Sequence, residues 1–410
     1  MEGAGRDLYR HLVERQRCRS VEWRPVPVNR SPGQREGSPG VFFWRNHVFV
    51  YGGWGLGPMR DLWAAPLASP LDFKEVPLQG AGPVATYEAK VTVLEEESFR
   101  VLVTGGWRHG GYYEESATYG IMEIRMEGDR ITAQWCKTGG MLPRANHSAT
   151  YVPPSVAGAL YPKGYVLLFG GCVEGASSNS LSLLDLSSFT WNDNLEVEGQ
   201  GPEPQNSHST TLLPSSLNAS YGILFLGGGS GDDSNGGPPR GGHELGGIFW
   251  LSLEPNAWHW AVEAPSPRWS RSPKGHGARG HVAVRLTATD SVVMLGGGKP
   301  PVQQVMGVVA GQVHELECTG TPSARAFGGG CALPNGLALI YGGWHPRKGT
   351  YSDFWVAAFD DVGRNCAFFQ ALPEARLAME PEMEDEDVAF NVVLRRQSGG
   401  QCLHDCLLFK

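Results

Sequence analysis

The side chains in this sequence that could recognise or transform a ligand gather just behind short apolar runs that end in two glycines. Behind Gly52-Gly53 come Trp54 and Arg60, and behind Gly105-Gly106 come Trp107, Arg108, His109, Tyr112, Tyr113, Glu114 and Glu115. The segment after Gly227-Gly228 carries Asp232, Asp233, Arg240 and His243, and that after Gly342-Gly343 carries Trp344, His345, Arg347 and Lys348. Arginine offers a planar, bidentate fork for carboxylate or phosphate, and tyrosine offers apolar area with a polar tip. A second cationic stretch, Arg268, Arg271, Lys274, His276, Arg279 and His281, suits an anionic ligand. Its plainer reading is a set of solvated charges, with His276 and His281 bonding neighbouring repeats.

Other chemistry is thinly represented. Cys402-Leu403-His404-Asp405-Cys406 is the tight cluster of metal-ligand types. It is one pair without a matching second pair, so no metal centre is assigned. The sequence contains no Gly-x-Ser-x-Gly elbow, P-loop or His-Glu-x-x-His. Gly227-Gly228-Gly229-Ser230-Gly231 opens a loop rather than a helix and so does not form a phosphate cradle. No cofactor is expected.

The elements that must hold these groups repeat six times. Val48–Tyr51, Val101–Thr104, Val166–Phe169, Ile223–Leu226, Val292–Leu295 and Leu339–Tyr341 each stop at a glycine doublet, beginning at Gly52, Gly105, Gly170, Gly227, Gly296 and Gly342. Such spacing, irregular around fifty residues, is that of a four-stranded propeller blade. A ring of blades lets 410 residues exceed a single-core domain, because each blade packs only on its neighbours. The 56 glycines and 29 prolines suit an all-β chain rich in turns. Net charge is 34 − 42 = −8, which argues against chain-wide attraction to nucleic acid or anionic membrane. No apolar run is long enough to cross a bilayer, and Met1 to Arg19 lacks a secretory apolar core. Eight scattered cysteines read as buried thiols, so the expected compartment is cytoplasmic or nuclear.

In the third repeat, Arg144–Val152 reads as a first strand, Gly164–Phe169 as a second, Ser180–Leu186 as a third, and Thr190-Trp191 opens a polar fourth. Asp61-Leu62-Trp63 and Asp353-Phe354-Trp355 follow their doublets in phase, as do Trp135, Phe249-Trp250, Trp258 and Trp260. Arg144 and His147 open their blade, with approximate counterparts at His208, His276 and Arg325. In these motifs the chain resembles the kelch family over roughly residues 23 to 378. The resemblance implies an all-β, six-bladed kelch-type propeller of four antiparallel strands per blade, with seven blades as the alternative.

Two places depart from the pattern. The fifth blade has no tryptophan, only Met306–Val309 and Val313–Leu316 for its outer strands. Ring closure falls either to Val21–Val26 or to Cys366–Gln370 as the last outermost strand. Around the propeller, residues 1–22 are expected to hold a short amphipathic helix, from Leu8, Leu12 and Val13. Residues 379–410 form an acidic extension with the strand-like Val388–Leu394.

The resemblance implies a non-catalytic protein-interaction platform, a scaffold or a substrate-recognition adaptor such as those of ubiquitin ligases. The alternative is a kelch-type small-molecule enzyme, iron-dependent and specifier-like or sugar-modifying, with its site at the axis. Against a specifier stands the lack of a Glu-x-x-x-Asp-x-x-x-His run. Post-doublet loops and interblade links share one face of a four-stranded meander. The expected binding residues on that face are Arg60, Arg108, His109, Tyr112, Arg240, His345 and Arg347, engaging a protein partner from a monomeric ring. Trp54, Trp107 and Trp344 recur and are expected to pack between blades, part-exposed at the rim.

Overall fold

The computed structural model describes residues 20–95, 99–108, 117–193, 195–214, 221–230, 248–253, 258–263, 279–286, 291–298, 305–309 and 312–375. These form a β-propeller of antiparallel sheets, and the first five sheets follow chain order. The first runs Gly40–Trp44, His47–Trp54, Pro58–Pro66 and Lys74–Val76, and the second Lys90–Glu95, Arg100–Thr104, Thr118–Glu127 and Arg130–Gly140. The third is Ser148–Val152, Tyr165–Phe169, Leu181–Asp185 and Trp191–Asn192, and the fourth Ser209–Pro214, Tyr221–Leu226, Ile248–Leu253 and Trp258–Glu263. The fifth is Val282–Leu286, Ser291–Leu295, Val305–Val309 and Gln312–Glu315. Its outer strands therefore fall where the tryptophan-free fifth repeat offers Met306–Val309 and Val313–Leu316.

The sixth sheet is assembled from both ends of the described chain. Gly329–Leu333, Leu337–Tyr341 and Phe354–Ala358 are completed by Ser20–Val26, antiparallel to Phe354–Ala358 with Glu22 opposite Ala358 and Val26 opposite Phe354. Cys366–Gln370, the other sequence candidate for this slot, is not a strand. Ala367–Gln370 is helical, directly after a helix at Asp361–Asn365 whose first turn is capped by the Asp360 carboxylate accepting from Gly363 N–H at 2.8 Å. The reason is steric: the open edge of Phe354–Ala358 is already occupied, and Arg24 on the occupying strand pins the helix by donating to the Phe369 and Leu372 carbonyls at 3.2 and 3.3 Å. The expected N-terminal helix and the acidic extension, with Val388–Leu394, lie outside the described residues.

Second strands such as Tyr165–Phe169, Ser291–Leu295 and Leu337–Tyr341 are buried along their whole length, because each is sandwiched between neighbouring sheets. Among the described residues, six larger apolar cores result, each shared by two consecutive sheets. Phe49 and Leu62 meet Phe99 and Val101 between the first and second. Val48 and Val50 meet Leu337 and Leu339 between the sixth and the first, so the set of cores closes on itself.

The glycine doublets have a conformational cause. In all six, both residues take positive φ, 58–65° at the first position and 88–102° at the second, a region costly for a residue with Cβ. The second glycine then donates across to the next sheet: Gly106 N–H to the Arg144 carbonyl at 2.9 Å, and Gly343 N–H to the Arg35 carbonyl at 2.8 Å.

Candidate functional site

Just before the first strand in five of the six sheets, a short segment pairs with the residue after the doublet. Glu36 pairs with Trp54, Tyr87 with Trp107, Ala145 with Cys172, Asn206 with Gly229 and Ala326 with Trp344. Interblade and post-doublet segments thus share one face. On this face the six segments are linked by a circle of backbone hydrogen bonds around the axis. Glu88 N–H donates to Gly37 O at 2.7 Å, Asn146 to Glu88 at 3.1 Å and Ser207 to Asn146 at 2.8 Å. Gly280 donates to Ser207 at 2.9 Å, Phe327 to Gly280 at 2.7 Å and Ser38 to Phe327 at 2.9 Å.

The in-phase aspartates serve this frame. Arg35, fully buried, donates to both oxygens of Asp61 at 2.7 Å and to the Gly52 carbonyl at 2.9 Å, while Trp63 Nε1 donates to Asp61 at 2.6 Å. Arg325, Asp353 and Trp355 repeat the arrangement in the sixth sheet. In the third, Arg144 instead donates to the Ser180 and Ser182 hydroxyls. Burial alone would raise the Asp61 and Asp353 carboxyls, but their arginines hold both below the usual value.

Histidines do similar work one residue before the first strand of three sheets. His147 Nε2 meets Thr104 Oγ1 at 2.9 Å, His208 meets Ser148 Oγ at 2.8 Å and His281 meets Ser209 Oγ at 2.7 Å, each reaching the preceding sheet. Burial first, then the Lys90 and His281 charges, lower His208 to about 3. His147 is likewise held well below its ordinary value by burial, Arg144 and Lys90. These rings are neutral supports.

Beside the backbone circle, charged groups from different sheets come within electrostatic range of one another. Glu88 Oε2 accepts from Trp107 Nε1 at 2.7 Å and from Asn146 Nδ2. Glu36 Oε2 accepts from Thr350 Oγ1 at 3.1 Å. Burial pushes Glu36 up to about 7, opposed by the Thr350 bond and reinforced by the charge of Glu88. Burial also raises Glu88, against its two hydrogen bonds and the charges of Arg279 and Lys90. Lys90 is lowered by burial and partly restored by Glu88. Arg279 belongs to the segment before the fifth sheet, on the far side of the circle from Glu88, and its buried Nε has no hydrogen-bond partner.

The sequence-expected residues sit around this centre. Arg60, Arg108 and Arg347 are exposed and belong to the first, second and sixth sheets, which are consecutive around the ring. Arg60 lies on the strand Pro58–Pro66, not in a loop, because the link after the doublet is only three residues long. Arg347 lies in the turn between Trp344–His345 and Gly349–Thr350, where its N–H donates to His345 Nδ1 at 3.1 Å. His109, Tyr112 and Arg240 lie outside the described residues. Trp54 packs edge-on against Tyr87 of the neighbouring segment at 4.7 Å, as its recurrence implied, whereas Trp107 is buried rather than part-exposed. Glu36, Glu88 and Lys90 were not expected. Their signal was positional: Glu36 and Glu88 stand four and two residues before a first strand and Lys90 opens one, in the stretch of the repeat that holds Arg144 and His147.

No family model and no curated protein matches this sequence. Among solved structures, the chain is similar to one described as "Structure of YjhT", with a TM-score of 0.52 and 14% identity over 80% of this chain and 95% of that one. At that identity the likeness is one of fold alone, and the fold is a β-propeller.

Proposed function

We propose that this chain is a six-bladed propeller of kelch type that acts as a non-catalytic platform for a protein partner. The six sheets whose pre-strand segments join in one hydrogen-bonded circle support the blade count. The doublets and the Arg–Asp–Trp networks support the kelch reading.

The observation that carries the platform reading is the arc of exposed arginines, Arg60, Arg108 and Arg347, presented by three neighbouring sheets on the face that bears the axial circle. Guanidinium groups held apart on a rigid frame favour a partner with an acidic segment. Affinity purification with mass spectrometry names the partner, and calorimetry with that purified partner then tests the surface. Replacing the three arginines by alanine should weaken binding roughly tenfold or more and leave thermal stability nearly unchanged. Unaltered affinity, with loss on changing the opposite face, overturns the reading.

A second reading, a small-molecule enzyme centred on the axis, is favoured by Glu36, whose value of about 7 suits proton transfer near neutral pH. Stoichiometric metal in the purified protein, or turnover of a small substrate abolished in Glu36→Gln, would decide for it.

A further inference from the structure

We propose that the axial circle encloses a binding site for a small organic acid, its carboxylate held by Arg279 and Lys90 while an adjacent hydroxyl or amine donates to Glu36 or Glu88. The site is separate from the arginine arc and does not depend on the platform reading.

Among the described residues, hydrogen-bonding capacity goes unmet at Arg279 and Lys90. Arg279 has a buried Nε without a partner, and neither its guanidinium nor the Lys90 ammonium makes a hydrogen bond among the described residues. Both act on Glu88 only through space. Two such donors in a part-buried centre call for an acceptor carrying negative charge. The two carboxylates are half used. Each accepts at Oε2, from Thr350 for Glu36 and from Trp107 and Asn146 for Glu88, which leaves Oε1 of each for a ligand donor.

Charge balance selects among ligands. A purely cationic group would meet Arg279 and Lys90, and a phosphate dianion would meet Glu36 and Glu88. A single carboxylate next to a donor satisfies both halves. The backbone circle fixes the pre-strand segments rigidly, so the groups are held in place before binding.

Acidity distinguishes the two sources of the donor. The charged group facing Glu36 is Glu88, itself under Arg279 and Lys90, and Thr350 supplies a neutral hydrogen bond. A hydroxy acid brings only negative charge, so its affinity should fall as Glu36 ionises above pH about 7. An amino acid brings an ammonium, so its affinity should rise over the same range.

The test titrates the full chain by calorimetry with two probe series, lactate and gluconate against alanine and serine, with inorganic phosphate as control. One series should bind saturably, with the pH trend given above for its donor, and Glu36→Gln should flatten that trend. Arg279→Gln and Lys90→Gln should each weaken binding roughly tenfold or more, while phosphate should not compete. The variant lacking Arg60, Arg108 and Arg347 should bind these acids normally, which separates this site from the platform surface. Circular dichroism checks that the variants fold, and Arg279→Gln, at a part-exposed position, decides alone if Lys90→Gln does not. No saturable binding by either series, equal binding to Arg279→Gln, or tighter binding of phosphate overturns the proposal.

Discussion

The N–H of Ser38 donates to the carbonyl of Phe327 at 2.9 Å, and this bond joins the segment before the first sheet to the segment before the sixth. Around the axis the chain therefore has no free end. At the periphery the same closure is made by Ser20–Val26, whose pairing with Phe354–Ala358 turns the start of the described chain into the fourth strand of its last sheet, flanked in parallel by Glu317–Thr319. The two closures tie distant parts of the sequence together, so stability should be sensitive at both.

Trp23 is 1% exposed within the core shared by the fifth and sixth sheets. Trp23→Ala removes a large buried ring from the closing strand and should cost about 3–5 kcal/mol. Urea denaturation followed by circular dichroism measures it. A loss below about 1 kcal/mol would mean that Ser20–Val26 contributes little to closure.

Asp61→Asn leaves the fully buried Arg35 guanidinium without its counter-charge and should destabilise by about 2 kcal/mol or more. Asp353→Asn should cost less, because the Asp353 side chain is 42% exposed against 25% for Asp61, and solvent screens it more. Both carboxyls are depressed in the folded chain. Their contribution is thus complete above the unfolded value, near 4, and is lost as pH falls below it. Acid unfolding of the two variants against the parent checks the ranking and the sign.

His208 is held neutral, lowered to about 3 by burial, so the unfolded chain binds a proton that the folded chain refuses. Its contribution is present above the unfolded value of about 6.5 and declines as pH falls toward 3, by at most about 1.4 kcal/mol per pH unit. His208→Gln should lower stability at pH 7, because the bond to Ser148 changes, yet flatten the pH dependence between 7 and 5. Denaturation midpoints across that range test this. An unchanged slope refutes it.

Glu36 shifts the other way. With its carboxyl raised to about 7, the folded chain keeps a proton that the unfolded chain has released, and stability falls as pH rises from about 4.5 to 7. Glu36→Gln should therefore stabilise the protein at pH 8, by roughly 1 kcal/mol given its part exposure. Thermal melts of parent and variant at pH 5 and pH 8 should converge at the lower value and diverge at the higher.

The repeat was written plainly in the sequence. An apolar run ending in two glycines marks a strand buried on both sides that must then turn through left-handed backbone, and both requirements are local, so residue type alone reports them. Val21–Val26 was legible as a strand for the same reason. Its place was not, because Cys366–Gln370 carries a comparable apolar pattern. Only the assembled sheet shows that one edge can accept one strand, which leaves Phe369 to bury its ring from a helix. The axial cluster lay further out of reach. Glu36, Glu88 and Arg279 precede first strands and Lys90 opens one, at positions where other repeats carry mostly uncharged residues such as glycine, asparagine, serine or alanine, so no repeated residue type points to them. Their burial, and the shifts in acidity it causes, arise when the ring closes and brings segments from separate repeats within range of one another.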